Sequence, residues 1–389
     1  MKTVKISDVC ELIAGQSPPS NTYNDKGEGI PFFQGKTDFG YLFPIVRSWC
    51  TAPQKIAFPN DILISVRAPV GPTNINTVKS CIGRGLSAIR CTEKIDTKFL
   101  LYYLRSNEDK IAEKANGSTF SAITQKDLQQ IQIPFPPLAT QQKIAFILDA
   151  ADAYRQKTKT LIEKYDQLAQ SLFLDMFGDP QTNIKLWKTV EFGDHIDILT
   201  DYHANGSYEN LNEHVDLKNT LDYALMIRTT DLERKNFEGD VICISESAYH
   251  FLKKTKVYGG EIIINKIGSA GKVYLMPRLN RPVSLGMNAF MLRLKSSLNH
   301  IFAYFLLKSQ YGEQEIQKRV KGAVTKTIRK DAVRAIPIIV PPITLQNKFA
   351  ERIQLIEVQK QKAQASLQKA EDLFNSLLQR AFKGELVEE

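Results

Sequence analysis

The chain has 389 residues, 43% of them hydrophobic and 24% charged, and a formal net charge of +9. That length suits two domains with sizeable cores, and no stretch approaches the roughly 18 to 20 apolar residues of a bilayer span. The start, MKTVKISDVCEL, lacks the apolar core of a signal peptide, the five cysteines form no CxxC pair and the five histidines no HxxxH spacing, so a cytoplasmic protein with free thiols and no metal site is expected.

The charge is unevenly placed. Residues 1–137 carry 16 Lys and Arg against 12 Asp and Glu (+4), and residues 138–180 carry 5 against 6 (−1). Residues 181–342 carry 23 against 17 (+6), and residues 343–389 carry 7 against 7. A positive excess on two separate bodies suits a long polyanion, because each cation near a phosphate releases condensed counterions.

In chain order, KTVKISDV at Lys2 leads to QGKTDF at Gln34 and then to IAFPNDILISVRAP, a β-branched strand introduced by a Pro-Asn turn. GLSAIR at Gly85 follows, then FLLYYLRSNEDKIAEKA, which reads as one helix of about 15 to 20 residues with an apolar stripe. GSTFSAITQKD leads to the hinge IQIPFPPLATQQKIA at Ile131. All of this is then written again. KTVEFGDH at Lys188, IRTTDL at Ile227, EIIINKIGSAG at Glu261, GMNAFMLR at Gly286, IFAYFLLKS at Ile301 and GAVTKTIRKD at Gly322 repeat the order, up to a second hinge, IPIIVPPITLQNKFA, at an offset of 205. Seven echoes in one order define an internal repeat. Short strands, loops and one helix per copy indicate α+β domains.

After each Pro-Pro the pattern turns helical, since proline is tolerated at a helix start but excludes helix just upstream. In the first run Ile144, Ile147, Ala151, Tyr154, Leu161, Tyr165, Leu168 and Leu172 recur by threes and fours, with Thr158 completing the line. In the second, Phe349, Ile353, Ile356, Ala363, Leu367, Ala370, Phe374 and Leu377 do the same, and only Lys360 breaks the stripe. Each run predicts a helix of about 40 residues, roughly 60 Å long, which needs a partner for its seam. The expected architecture is two similar mixed α/β domains (1–137 and 181–342), each followed by a long helix (138–180 and 343–389). The helices pair as an antiparallel coiled coil with pseudo-two-fold symmetry. Such a protein would hold two basic bodies apart and suit two half-sites on a duplex.

Base readout calls for Arg or Lys at guanine and Asn or Gln at adenine, presented from loops. The candidates are Gln34, Lys36, Thr37, Arg67 and Arg84 in the first domain, with Ser118 and Thr119 as phosphate contacts. In the second they are Arg228, Thr229, Lys266, Lys272, Asn288 and Lys321. For any one of these, a solvated surface role is the alternative. Tyr41, Trp49, Tyr202 and Tyr208 offer stacking faces, with core packing the competing role. Asp61 and Glu261 hold matching positions and are expected to cap turns. No GxxxxGK[ST] loop and no Gly-rich strand-to-helix turn is present. PFPPL at Pro134 lacks the amide of an amino-methyltransferase motif.

The PPLxxQxxI stretch (Pro136, Pro137, Leu138, Gln141, Ile144) and its second copy (Pro341, Pro342, Ile343, Gln346, Phe349) resemble the specificity subunit of Type I restriction-modification systems, over essentially the whole chain. The resemblance implies a non-catalytic subunit that binds double-stranded DNA through two target-recognition domains. It also implies helices that dock two modification subunits, together with restriction subunits in the full complex. S-adenosylmethionine, ATP and Mg would then belong to those partners, with no cofactor on this chain. The competing class is a coiled-coil adaptor that binds proteins, which would show little salt-dependent DNA binding; a third is an enzyme with an unrecognised site.

Overall fold

A computed structural model describes residues 2–115 and 122–387. The chain divides into two compact units, Met1–Thr160 with Gln364–Glu389, and Leu161–Ala363. This division differs from the four sequence segments, because each globule packs against the nearest halves of both long helices rather than ending at its hinge.

In the first unit, strand Thr3–Lys5 pairs with Gln132–Pro134 just before the hinge. A four-stranded antiparallel sheet runs in the order Cys10–Ala14, Leu86–Cys91, Ile62–Ser65, Thr73–Ile75. A second sheet contains Ile30–Phe33 parallel to Ser80–Ile82. The second unit repeats the plan. Lys188–Glu191 pairs with Pro337–Val340, the four-stranded sheet is Ile196–Asp201, Ala289–Leu294, Ile262–Asn265, Val273–Leu275, and Ala224–Ile227 lies parallel to Val283–Leu285. The central strands ILIS and IIIN are buried throughout, on both faces of the sheet.

The turn preceding each central strand is capped as expected. Asp61 accepts from the Phe58 amide at 2.8 Å and from Arg90 at 2.9 and 3.0 Å, with the Arg90 guanidinium 4.8 Å from the Phe58 ring. Glu261 accepts from the Tyr258 and Gly259 amides at 3.0 and 2.7 Å and from Arg293, which lies 5.0 Å from the Tyr258 ring. The same device occurs in both copies and ties the turn to the neighbouring strand.

The single helices expected after these sheets are each broken. Thr97–Ser106 is followed by Glu108–Ala112, and His300–Lys308 by Gln310–Gln317. Ser309 is extended and its hydroxyl accepts from the Gly312 amide at 3.2 Å, restarting the helix in a new direction. A Cβ on Gly312 would lie 2.2 Å from the Leu306 carbonyl, so only glycine permits the crossing.

The long helices are Leu138–Phe177 and Ile343–Lys383. They pair antiparallel within each unit. In the first, Ile144 and Leu148 share a core with Phe374 and Ala381, and Tyr154 bonds Ser366 at 2.8 Å. In the second, Phe173 and Phe177 pack on Phe349 and Phe302, while Lys360 reaches Asp166.

The terminal helix buries the expected stripe: Phe349, Ile353, Ala363, Ala370 and Phe374 are buried, and Ile356, Leu367 and Leu377 half-buried. Lys360 continues it, its stem covered and its ammonium led out to a half-exposed carboxylate. On the middle helix the phase is different. Ile144 is buried and Ile147, Ala151, Tyr165 and Leu172 are half-buried, but Tyr154, Leu161 and Leu168 are 54, 42 and 50% exposed. The buried line runs instead through Leu148, Asp152, Thr158, Ala169, Phe173 and Phe177. The pairing assigned to Leu161 and Leu168 is therefore corrected, while the half-exposed Tyr154 bonds Ser366 of the other helix through its hydroxyl. The seam closes around a small Ala169 and a hydrogen-bonded Asp152, which a search for large apolar residues passes over.

Asp152 is held from the globule. The Tyr41 hydroxyl donates to it at 2.7 Å, Arg155 donates at 2.6 Å, and Arg155 sits 4.1 Å over the Phe374 ring. Tyr41 thus anchors a loop to the helix. Tyr202, another stacking candidate, is in the core of its unit, while Tyr208 is exposed and Trp49 half-buried.

Candidate nucleic-acid interface

At one end of the first unit's sheets, backbone hydrogen bonds gather several loops into one rim. The Phe33 carbonyl accepts from the Gly83 amide at 2.8 Å, the Gly85 carbonyl accepts from Val66 at 2.9 Å, and the Val66 carbonyl accepts from Ile123 at 3.0 Å. Arg67 bridges to Ala122. A Cβ on Gly85 would lie 2.4 Å from the Gln34 carbonyl, so glycine lets the Arg84 loop lie against the Gln34 loop. The structure thus brings Gln34, Arg67 and Arg84 together. Lys36 and Thr37 follow on a short turn fixed by Asp38, which accepts from the Gln34 amide at 2.7 Å.

All five of these side chains are exposed. Among the described residues Lys36, Arg67 and Arg84 make no ion pair. Ser118 and Thr119 lie outside the described residues.

The second unit builds the same rim. The Ile227 carbonyl accepts from Gly286 at 2.8 Å, the Asn288 carbonyl accepts from Lys266 at 2.7 Å, and the Lys266 carbonyl accepts from Ile328 at 3.1 Å. Its electrostatics differ. Arg228 donates to Asp231 at 2.6 Å and to the Asp240 carbonyl at 2.6 Å, and the hydrogen bond to Asp231 holds its guanidinium above the ordinary value. Lys266 and Lys330 converge on Asp201 at 2.9 and 2.8 Å. Burial alone would raise the Asp201 carboxyl, but the two ammonium groups together outweigh it and hold the group below the ordinary carboxylate value. Lys272 pairs with Glu233 at 2.6 Å, which raises its ammonium.

Thr229 is half-buried at the start of helix Thr229–Arg234. Lys321 is exposed, its backbone paired with Thr327. Asn288 is exposed with φ +66°, beside an exposed Met287 that sequence reasoning missed. Its position between Gly286 and Asn288 was the available signal. Among the described residues no group of three or more His, Cys, Asp or Glu is placed to hold a metal ion, and no helix is long and apolar enough to cross a membrane.

The hinge glutamines were singled out by sequence without a role. Gln141 is fully buried; its Oε1 accepts from the Asp96 amide at 2.9 Å and its Nε2 donates to the Pro136 carbonyl at 2.9 Å. Gln346 does the same with the Asn299 amide at 2.8 Å and the Pro341 carbonyl at 2.7 Å. Asp96 and Asn299 are helix N-caps. Each glutamine therefore rivets a long helix to the globule that carries the rim.

Each of the two units thus carries its own loop rim on a duplicated sheet framework. A family model described as the Type I restriction modification DNA specificity domain matches the chain over residues 1–164 and again over 184–366, and the chain belongs to that family. It is 47% identical over 168 residues to a putative type I restriction enzyme specificity subunit, MjaX, of Methanocaldococcus jannaschii, a match spanning 42% of this chain and 40% of that relative. It is 25% identical over 421 residues to the MjaIX specificity subunit of the same organism, covering 98% of this chain and 92% of the relative. The solved S subunit of a type I restriction-modification system from M. genitalium shares the fold, with a TM-score of 0.61 at 17% identity over 98% of this chain and 96% of that one.

Proposed function

We propose that the chain is the DNA-reading, non-catalytic subunit of a Type I restriction-modification complex in the cytoplasm. Each domain reads one half of a bipartite, asymmetric target in double-stranded DNA, and the helices set the gap. The observation that carries this is the rim built twice from the same backbone hydrogen bonds with unlike side chains: one framework serves two different words. Lys36, Arg67, Arg84 and Lys321 supply exposed cations for phosphates or base edges.

The helices retain an outward apolar face. On the middle helix Phe146 is 75% exposed and Tyr154, Leu161 and Leu168, seven residues apart, are exposed too, with Leu355 and Leu373 exposed on the other helix. This face suits two modification subunits, with restriction subunits completing the assembly. S-adenosylmethionine, ATP and Mg are carried by those partners, which perform the chemistry. A protein adaptor would need no rim of exposed cations.

The test is co-expression with candidate modification subunits followed by genome-wide mapping of methylated adenines, with DNA affinity measured against salt. One split motif with a constant gap is expected. Affinity should fall about 10³- to 10⁵-fold between 50 and 200 mM salt if six to ten phosphates are contacted. Methylation without a split motif, or affinity indifferent to salt, refutes the reading.

A further inference from the structure

We propose that one structurally equivalent loop makes the two domains read chemically different base pairs: Arg84 takes a guanine in the first half-site, while Met287 and Asn288 take an adenine·thymine pair in the second. This rests on the reading of the chain as a bipartite DNA reader.

The equivalence comes from hydrogen bonds rather than from alignment of letters. The Gly83 and Gly286 amides donate, each at 2.8 Å, to the Phe33 and Ile227 carbonyls that end matching strands. Gly85 and Asn288 accept from Val66 and Lys266 at 2.9 and 2.7 Å. The residues that follow, Leu86 and Ala289, pair with Ser65 and Asn265 in the same register. The tips are therefore Gly83–Arg84–Gly85 and Gly286–Met287–Asn288. Arg84 and Met287 occupy one position on the framework, and Gly85 and Asn288 the next.

The chemistry at those positions is opposed. Arg84 is exposed, and its guanidinium has neither an ion pair nor a hydrogen bond among the described residues. A guanidinium fork matches the O6 and N7 acceptors of guanine. Met287 is 43% exposed and cannot donate a hydrogen bond; a thymine methyl group is the base-edge feature that an apolar side chain recognises. The Asn288 amide, one residue on, is also exposed, and its side chain makes no hydrogen bond among the described residues. A carboxamide matches adenine N6 and N7, on the partner of that thymine.

The rest of the second rim points the same way. The residue after Val66 is Arg67, whereas the residue after its equivalent Lys266 is Ile267. Arg228, which follows Ile227, and Lys266, whose amide bonds Asn288, are already held by Asp231 and Asp201. Among the described residues the second domain thus presents no free guanidinium fork at this loop and offers an apolar group beside a carboxamide.

The experiment uses the full chain assembled with its modification subunits and duplexes carrying the mapped target. Arg84→Ala should lower discrimination for one guanine of the first word by about 5- to 150-fold, the range of one bidentate contact, with the second word unchanged. Replacing thymine by deoxyuracil in the second word, which removes only a methyl group, should weaken the wild type several-fold and leave Met287→Ala indifferent. Asn288→Gly keeps the left-handed backbone and should relax the adenine preference. In every variant the word read by the other domain is the internal standard for folding.

The inference is overturned if both words are still read but the second contains no pair whose preference depends on residues 287 and 288, or if deoxyuracil affects wild type and Met287→Ala alike. Absence of any split word in the wild type would instead refute the bipartite reading itself.

Discussion

Replacing Gln141 by Met keeps the length of a fully buried side chain while removing its amide. Three groups then lose a partner: the Pro136 carbonyl, buried, and the Asp96 amide, partly buried, each at 2.9 Å from the native side chain, and the Lys94 carbonyl, partly buried, at 3.3 Å. An orphaned buried group costs about 1–3 kcal/mol and a partly buried or weakly bonded one less, giving about 3 kcal/mol for the three together. For a unit of this size that is a fall in Tm of about 6–12 °C. Each unit carries one tryptophan, Trp49 in the first and Trp187 in the second. Urea denaturation followed by fluorescence in the Trp187→Phe background therefore reports the first unit, and in the Trp49→Phe background the second. Gln141→Met should shift the first transition, and Gln346→Met the second by a similar amount. A shift below about 0.5 kcal/mol in the unit that carries the substitution would refute the assignment of these side chains as rivets.

The phase of the middle helix is checked by a pair of truncations: Phe173→Ala should cost the second unit about 3–5 kcal/mol, and Leu168→Ala, on the exposed face, under about 1 kcal/mol by the same denaturation assay. Lys360→Leu exchanges a buried ammonium, whose partner Asp166 is half-exposed, for an apolar seam residue; stability of the second unit should stay level or rise by up to about 1 kcal/mol. A loss of several kcal/mol would show the ion pair to be stabilising. Asp201 is held below the ordinary carboxylate value when folded, so its contribution is present above an unfolded value of about 3.9 and is lost as pH falls through the lower folded value. The stability of the second unit should therefore decline on acidification below about pH 4, and Asp201→Asn should flatten that part of the profile, as read by thermal denaturation across pH 2–6.

Much of this protein is legible in the letters because it is local or repeated. The Pro-Pro hinges and the unbroken helical runs after them are set by backbone chemistry within a few residues, and the two helices observed, 40 and 41 residues long, follow it. The stripe of the terminal helix, Phe349 to Ala381, is also legible, since its buried positions are apolar apart from Lys360. Duplication showed in motif order even where identity was low.

What only the tertiary structure decided is which side of the middle helix is covered and which rim cations are free. Asp152 is a seam residue because Tyr41, remote in sequence, satisfies it, and Leu161 faces outward because the line of contact passes through Ala169 and Phe173 instead. Lys266 is neutralised by an aspartate 65 residues away, while Arg84 has no such partner among the described residues. Burial and charge compensation are sums over neighbours in space, and chain contact across such separations is made by folding, so no window of sequence contains them.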